Sequence, residues 1–274
     1  MVKSNVAFHA SNRLLRALVL RQVRRGWAVV AGASRPLADD AEDLTADLKA
    51  LAKQLKLHGR QPATLCLGRQ QAILRGVLLP STDPAELAQM ARFEADRHIP
   101  FNAERHCVGY HIMSSKGVEG SEVLLAAVDG PIVDRGLAGL QNAGFVPDGI
   151  TITSPALINS LCYQQKDDFK QQTQAIISLG LDAIDLVFLH EGRMLYARSV
   201  AMDLRGALTS WISGQAEGGG AVDLSRLAMA AHMIDCLKLD ENPDQVEILR
   251  WIERLGQELQ RTYDFARREM KCPP

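Results

Sequence analysis

Apolar and polar residues alternate along the first part of the chain, and then the period lengthens and shortens in turn. Val6 to Ala10 and Leu14 to Leu20 predict two strands joined by a polar turn at Ser11 and Asn12, and Trp27 to Ala31 predicts a third. These three strands make a meander. Leu44, Leu48, Leu51 and Leu55 then recur at helical steps, with Gly59 just past the helix end. Strands follow at Ala63 to Leu67 and Ala72 to Leu79, the second stopping at Pro80. The next helix has a well-marked start, with Asp83 as N-cap, Pro84 in the first turn and Glu86 as a capping-box carboxylate. Leu87, Met90, Ala91 and Ala95 give it one apolar face. Ile99-Pro100-Phe101 ends it, because proline disfavours helix in the residue before it. His106 to Met113 and Val123 to Val128 predict a hairpin around a loose Gly/Ser-rich loop.

A helix from Ile132 to Ala143 comes next, then a strand near Gly149 to Ile152, a helix from Pro155 to Tyr163 and a polar linker at 166–172. From Ala175 the opening order returns: strands at Ala175 to Leu179, Ile184 to Leu189 and Met194 to Ser199, then a helix. Laid one on the other without gaps, His9, Ser11 and Asn12 fall on Ser178, Gly180 and Leu181. Such a repeat predicts a bilobed α/β molecule with a cleft between its halves. The expected lobes are residues 1–165, carrying an inserted unit at about 81–128, and residues 173–274. Gly218 to Gly220 break the helical remainder, and Ile248, Ile252, Leu255 and Leu259 align in a final helix with no strand predicted after it.

Composition narrows the function classes. With 31 basic and 32 acidic residues among 274, the net charge draws the whole molecule toward neither nucleic acid nor an anionic membrane. The five cysteines lack CxxC spacing, which fits reduced thiols in a cytosol rather than a disulfide framework. Residues 1–20 contain no unbroken apolar run of the kind a signal peptide or membrane span needs. Membrane contact is therefore expected to go through partners.

Several segments, in order, resemble the PilM family of type IV pilus assembly proteins. Phe93-Glu94-Ala95-Asp96-Arg97-His98-Ile99-Pro100-Phe101 is similar to the family's acidic helix running into an "iPF" segment, and an apolar strand, Val123 to Val128, follows as it does there. Leu140 to Pro147 resembles its "L..AGL.P" stretch, Ile177 through Gly192 to Arg198 its second phosphate-loop hairpin, and Leu255 to Thr262 its "L..EI.RS" helix. The resemblance implies an actin-like (ribonuclease H-like) duplicated fold with an inserted small subdomain. The cytoplasmic domain of the type II secretion protein GspL resembles the same fold and remains a second candidate, which would place a membrane helix beyond Pro274.

Members of this fold that hydrolyse ATP place an aspartate and a glycine in each phosphate loop, the carboxylates to hold Mg²⁺ through water and the glycines to let amides reach the phosphates. This chain has His9 and Ser11 in the first loop, and Ser178 with Gly180 in the second, while Arg16 stands where the family has lysine. The family's strand and adenosine loop would come just after Met270, so the adenine pocket is expected to be missing, whether the chain is a piece of a longer protein or a shortened relative. Ser11, Asn12, Arg16, Gly180 and, in reserve, Asp182 form the degenerate nucleotide-site candidates. The expectation is no catalysis and no cofactor, with ATP and Mg²⁺ as the alternative.

His98, His106, Cys107 and His111 do not repeat a metal-ligand spacing, and a regular strand puts His106 and His111 on opposite faces. Gly218 to Gly220 is expected to be a linker, and Arg21, Arg24 and Arg25 a solvated hairpin tip. The resemblance further implies a groove that takes the cytoplasmic N-terminal tail of a PilN-like membrane-anchored protein. The corresponding residues here are Leu79, Pro80, Arg92, Phe93, Ile99, Pro100 and Phe101, with a simple core role as the competing reading. The implied role is a cytoplasmic scaffold at the bacterial inner membrane that couples this partner to a motor ATPase, with homodimer formation left open.

Overall fold

A computed structural model describes residues 4–11, 14–24, 26–37, 43–57, 60–98, 105–115, 117–164, 173–191, 193–215 and 246–269. Asn12, Arg25, Gly59, Ile99, Pro100, Phe101, the segment 166–172, Gly192 and Gly218 to Gly220 lie outside those residues. The chain divides into two units, Met1–Lys170 with Gly192–Met194, and Gln171–Glu191 with Leu195–Pro274.

In the first unit, β1 (Ser4–Ala10), β2 (Leu14–Val23) and β3 (Gly26–Pro36) form the expected meander. After α1 (Thr45–Gln54), β4 (Pro62–Leu67) pairs parallel to β1, and β8 (Val146–Ile152) pairs parallel to β4. The sheet order is β3-β2-β1-β4-β8. The period-2 pattern sorts its faces. Val6, Phe8, Leu15, Ala17 and Leu65 point to one side and pack with Leu48 and Leu51 of α1 and Leu140 of α3 (Gly130–Asn142). Strand β8 starts earlier than the expected Gly149, at Val146, and so includes Pro147. Its place at the sheet edge explains this, since an edge strand tolerates a residue without an N–H.

The inserted unit is a second sheet of order β5-β7-β6, from β5 (Ala72–Leu79), β6 (His106–Ser115) and β7 (Ser121–Asp129), with α2 (Pro84–His98) on one face. Strand β5, which precedes the boundary expected near residue 81, is an edge of this sheet. Leu87, Ala91 and Ala95 of α2 meet Leu79, Val123, Leu125 and Ala127 in a separate cluster. Asp83 caps α2 as expected, its carboxylate accepting the amides of Ala85 at 2.8 Å and Glu86 at 3.0 Å. Glu86 does not close a capping box. Its carboxylate accepts the Ser81 hydroxyl at 2.5 Å, and Ser81 Oγ in turn accepts the Asp83 amide at 3.1 Å. Gly120, at φ +99°, enters β7 where a Cβ would stand 2.0 Å from the Leu79 carbonyl oxygen, so only glycine fits.

The second unit repeats the meander with β9 (Thr173–Leu179), β10 (Ala183–His190) and β11 (Arg193–Ala201), in sheet order β11-β10-β9. Helix α5 (Leu204–Gln215) follows, and the last described helix is α6 (Val246–Glu269). Ile184, Leu186 and Phe188 pack with Met202 and Trp251, and Leu208 and Trp211 of α5 meet Ile248 of α6. Glu258 on α6, almost fully buried, takes Arg198 of β11 at 2.5 Å and Arg261 at 2.7 Å. This triad holds α6 on the sheet. The repeated meander and the inserted sheet give the duplicated α/β organisation expected from the sequence.

Candidate functional site

The first turn lies between β1 and β2. Their register sets His9 opposite Arg16 and Ala10 opposite Leu15. Because Phe8, Ala10, Leu15 and Ala17 fill the core, His9 and Arg16 stand side by side on the other face. The Ser11 amide donates to the Leu14 carbonyl at 3.0 Å, and the Ser11 hydroxyl donates to the same oxygen at 3.0 Å. Both donors of Ser11 are thus taken up in closing the hairpin. Arg16 Nη1 donates to His9 Nδ1 at 3.4 Å, which leaves a neutral His9 carrying its proton on Nε2. Burial, and then the adjacent Arg16 charge, push the His9 pKa down to about 4. Burial also lowers that of Arg16. His9 is therefore uncharged near neutral pH.

This pair lines a cavity of about 650 Å³ whose walls include Ala7, Leu18 and Gly32 of the sheet. Helix α4 (Thr153–Gln164) contributes Thr153, Ala156 and Leu157. Thr153 Oγ1 donates to the Leu67 carbonyl at 2.9 Å, fixing the start of α4 against the end of β4. The cavity's polar groups are few and its lining is mostly alkyl.

In the second unit, the turn between β9 and β10 is closed in the same way, with the Gly180 amide donating to Ala183 O at 2.9 Å. A Cβ at Gly180 would lie 2.6 Å from that same oxygen, so the turn itself requires glycine there. The Leu181 and Asp182 carbonyls accept the amides of Arg205 at 2.9 Å and Met202 at 3.0 Å, tying this turn to the start of α5. Asn12 lies outside the described residues, so the first turn contributes Ser11 and Arg16 from the sequence candidates, with His9 added by the structure.

The expected partner residues fall on different surfaces. Leu79 is 2% exposed and packs in the small-sheet core. Pro80 and Arg92 are exposed. Phe93 is 71% exposed, on the side of α2 facing away from Leu87, Ala91 and Ala95. The structure does not bring Leu79 and Phe93 together, and Ile99, Pro100 and Phe101 lie outside the described residues. His106 is half-buried and His111 exposed, at alternating positions of β6. Among the described residues no three His, Cys, Asp or Glu side chains gather as a metal site would need, and no helix is long and apolar enough to cross a membrane.

The cross-strand His9–Arg16 pair was not singled out from the sequence, although the antiparallel pairing of Ala10 with Leu15 makes the two neighbours. The contributions of Cys66, Ala156 and Leu157 to the cavity had no local signal.

A model of the family described as type IV pilus assembly protein PilM matches residues 17–206, more than half of the chain. Among solved structures, a chain from a PilM–PilN type IV pilus biogenesis complex is 21% identical with a TM-score of 0.74, over 96% of this chain and 77% of that one. The cytoplasmic domain of EpsL, an inner-membrane component of the type II secretion system of Vibrio cholerae, is 11% identical with a TM-score of 0.46, over 85% and 96% of the two chains. A Bacteroides thetaiotaomicron protein of actin-like ATPase fold and unknown function is 14% identical with a TM-score of 0.47, over 84% and 87%. The first of these shares the fold. The other two superpose too loosely to argue from.

Proposed function

The chain belongs to the type IV pilus assembly protein PilM family, and from that premise we propose that it serves as a non-catalytic adaptor which binds the cytoplasmic tail of a PilN-like membrane-anchored protein. It would then sit in the cytoplasm against the inner membrane, held there through that partner.

The observation that carries the non-catalytic part is the closure of both turns by their own amides. A nucleotide phosphate is held by backbone N–H groups that point outward. Here the amides of Ser11 and Gly180 are already donated to Leu14 and Ala183. Mg²⁺ would further need carboxylates, and the turn positions carry neutral His9 and Ser178 instead. The described residues fit Mg-ATP poorly on both grounds. The partner part draws support from the likeness in fold to a chain solved in a PilM–PilN complex.

Phe93 offers a handle on the contact. A large aromatic ring left in water on a rigid helix is the kind of residue that anchors an interface. The test is retention of the chain on the immobilised N-terminal tail of its PilN-like partner. The unaltered chain should be retained, and Phe93→Asp should reduce retention at least about tenfold without changing the circular dichroism. Equal retention of the variant removes Phe93 from the contact. No retention of the unaltered chain overturns the adaptor reading.

A further inference from the structure

The cavity beneath α4 holds a charge without a counter-charge. Arg16 is partly buried, its one hydrogen-bond partner among the described residues is His9, and no carboxylate among them forms an ion pair with it. A partly buried cation without an anion is costly, and a nearby negative charge would remove that cost. His9 cannot supply it. The imidazole is neutral and only accepts from the guanidinium at 3.4 Å.

We propose that this cavity is a binding site for a small carboxylate with an apolar body, its carboxylate paired with Arg16 and its body against Ala7, Leu18, Ala156 and Leu157. This goes beyond the adaptor role and does not rest on it. Three features select that chemistry. A planar guanidinium matches a carboxylate through two parallel N–H donors. One cation beside a neutral histidine balances one negative charge, so a phosphate dianion would leave surplus charge among alkyl walls. The nearby amide that could have served a phosphate, that of Ser11, is donated to Leu14. The volume, about 650 Å³, lies in the range of small-molecule sites and accommodates a medium-length alkyl chain.

The probe is dansylaminoundecanoic acid, whose fluorescence rises on entering an apolar cavity, titrated into the intact chain and displaced by decanoate, decanol, inorganic phosphate or Mg-ATP. The proposal expects saturable binding, displacement by decanoate, and displacement by decanol at least about 30-fold weaker, as loss of a buried guanidinium–carboxylate pair implies. Arg16→Met should weaken decanoate by a similar factor while leaving decanol unchanged. Ala156→Trp, which places an indole against the apolar wall of the cavity, should weaken both. Equal potency of decanoate and decanol on the unaltered chain overturns the proposal whether or not any variant folds. So does the absence of saturable binding, an undiminished decanoate response in folded Arg16→Met, or displacement by Mg-ATP or phosphate stronger than by decanoate.

Discussion

Lowering the pH from 7.5 to 5 should destabilise the chain through His9 in particular. The imidazole has a pKa of about 4 in the folded protein and an ordinary value of 6.5 when exposed. Between those values the unfolded chain binds a proton that the folded chain refuses, so the unfolded state gains as pH falls and stability rises with pH across the window. The contribution is complete above about pH 6.5 and fades progressively down to about pH 4. Each pKa unit corresponds to about 1.4 kcal/mol, and integrating from pH 7.5 to 5 gives a loss of about 2 kcal/mol. Other groups titrate as well, so the quantity to measure is a difference. Urea unfolding free energies of the native chain and of His9→Gln, at half-unit pH steps, should diverge, with the native chain losing about 2 kcal/mol more over this range. Two parallel pH profiles would refute the reasoning, because they would mean His9 is as exposed or as protonated in the fold as out of it. Arg16→Met should reduce the divergence, since the Arg16 charge is the second cause of the depressed value.

Three further changes test the packing within each unit. Glu258→Ala leaves Arg198 facing a void in the second unit, and the loss should be about 2–3 kcal/mol in urea unfolding, below the usual buried-pair value because Arg198 is 29% exposed. Arg261→Ala, whose side chain is mostly in water, should stay within about 0.5 kcal/mol of the native chain. Leu87→Ala removes a fully buried side chain from the small-sheet cluster and should cost about 3 kcal/mol, with hydrogen exchange accelerating in α2 and β5 to β7 while β1 and β4 stay protected.

Most of the fold was legible because the segments that build it have clean periods. The alternation in Val6 to Ala10, the leucine steps of α1 and the Asp83-Pro84 start of α2 each specify an element without help from distant residues. The errors came where tertiary context decides. The strand expected near Gly149 begins at Val146 because its edge position admits Pro147, and Glu86 found Ser81, five residues back, instead of its own N-cap amide. Membership of β5 in the small sheet depends on pairing with β7, some fifty residues later, which no local pattern encodes. At the candidate site, the replacements at His9, Ser11 and Ser178 could be read directly. That the Ser11 and Gly180 amides close their own turns could not, because it depends on backbone geometry. Leu79 and Phe93 lie fourteen positions apart on a strand and a helix, and sequence adjacency to Pro80 and to the helix exit gave no means of telling that one is core and the other faces water.

On the adaptor reading, this chain binds its partner's tail without nucleotide. Calorimetric titration of the PilN-like cytoplasmic tail into the chain, in a buffer with EDTA and no nucleotide, tests it most directly. Saturable, near-equimolar binding that is unchanged when Mg-ATP is added is the expected result. Heat of binding that develops only in the presence of Mg-ATP would contradict it.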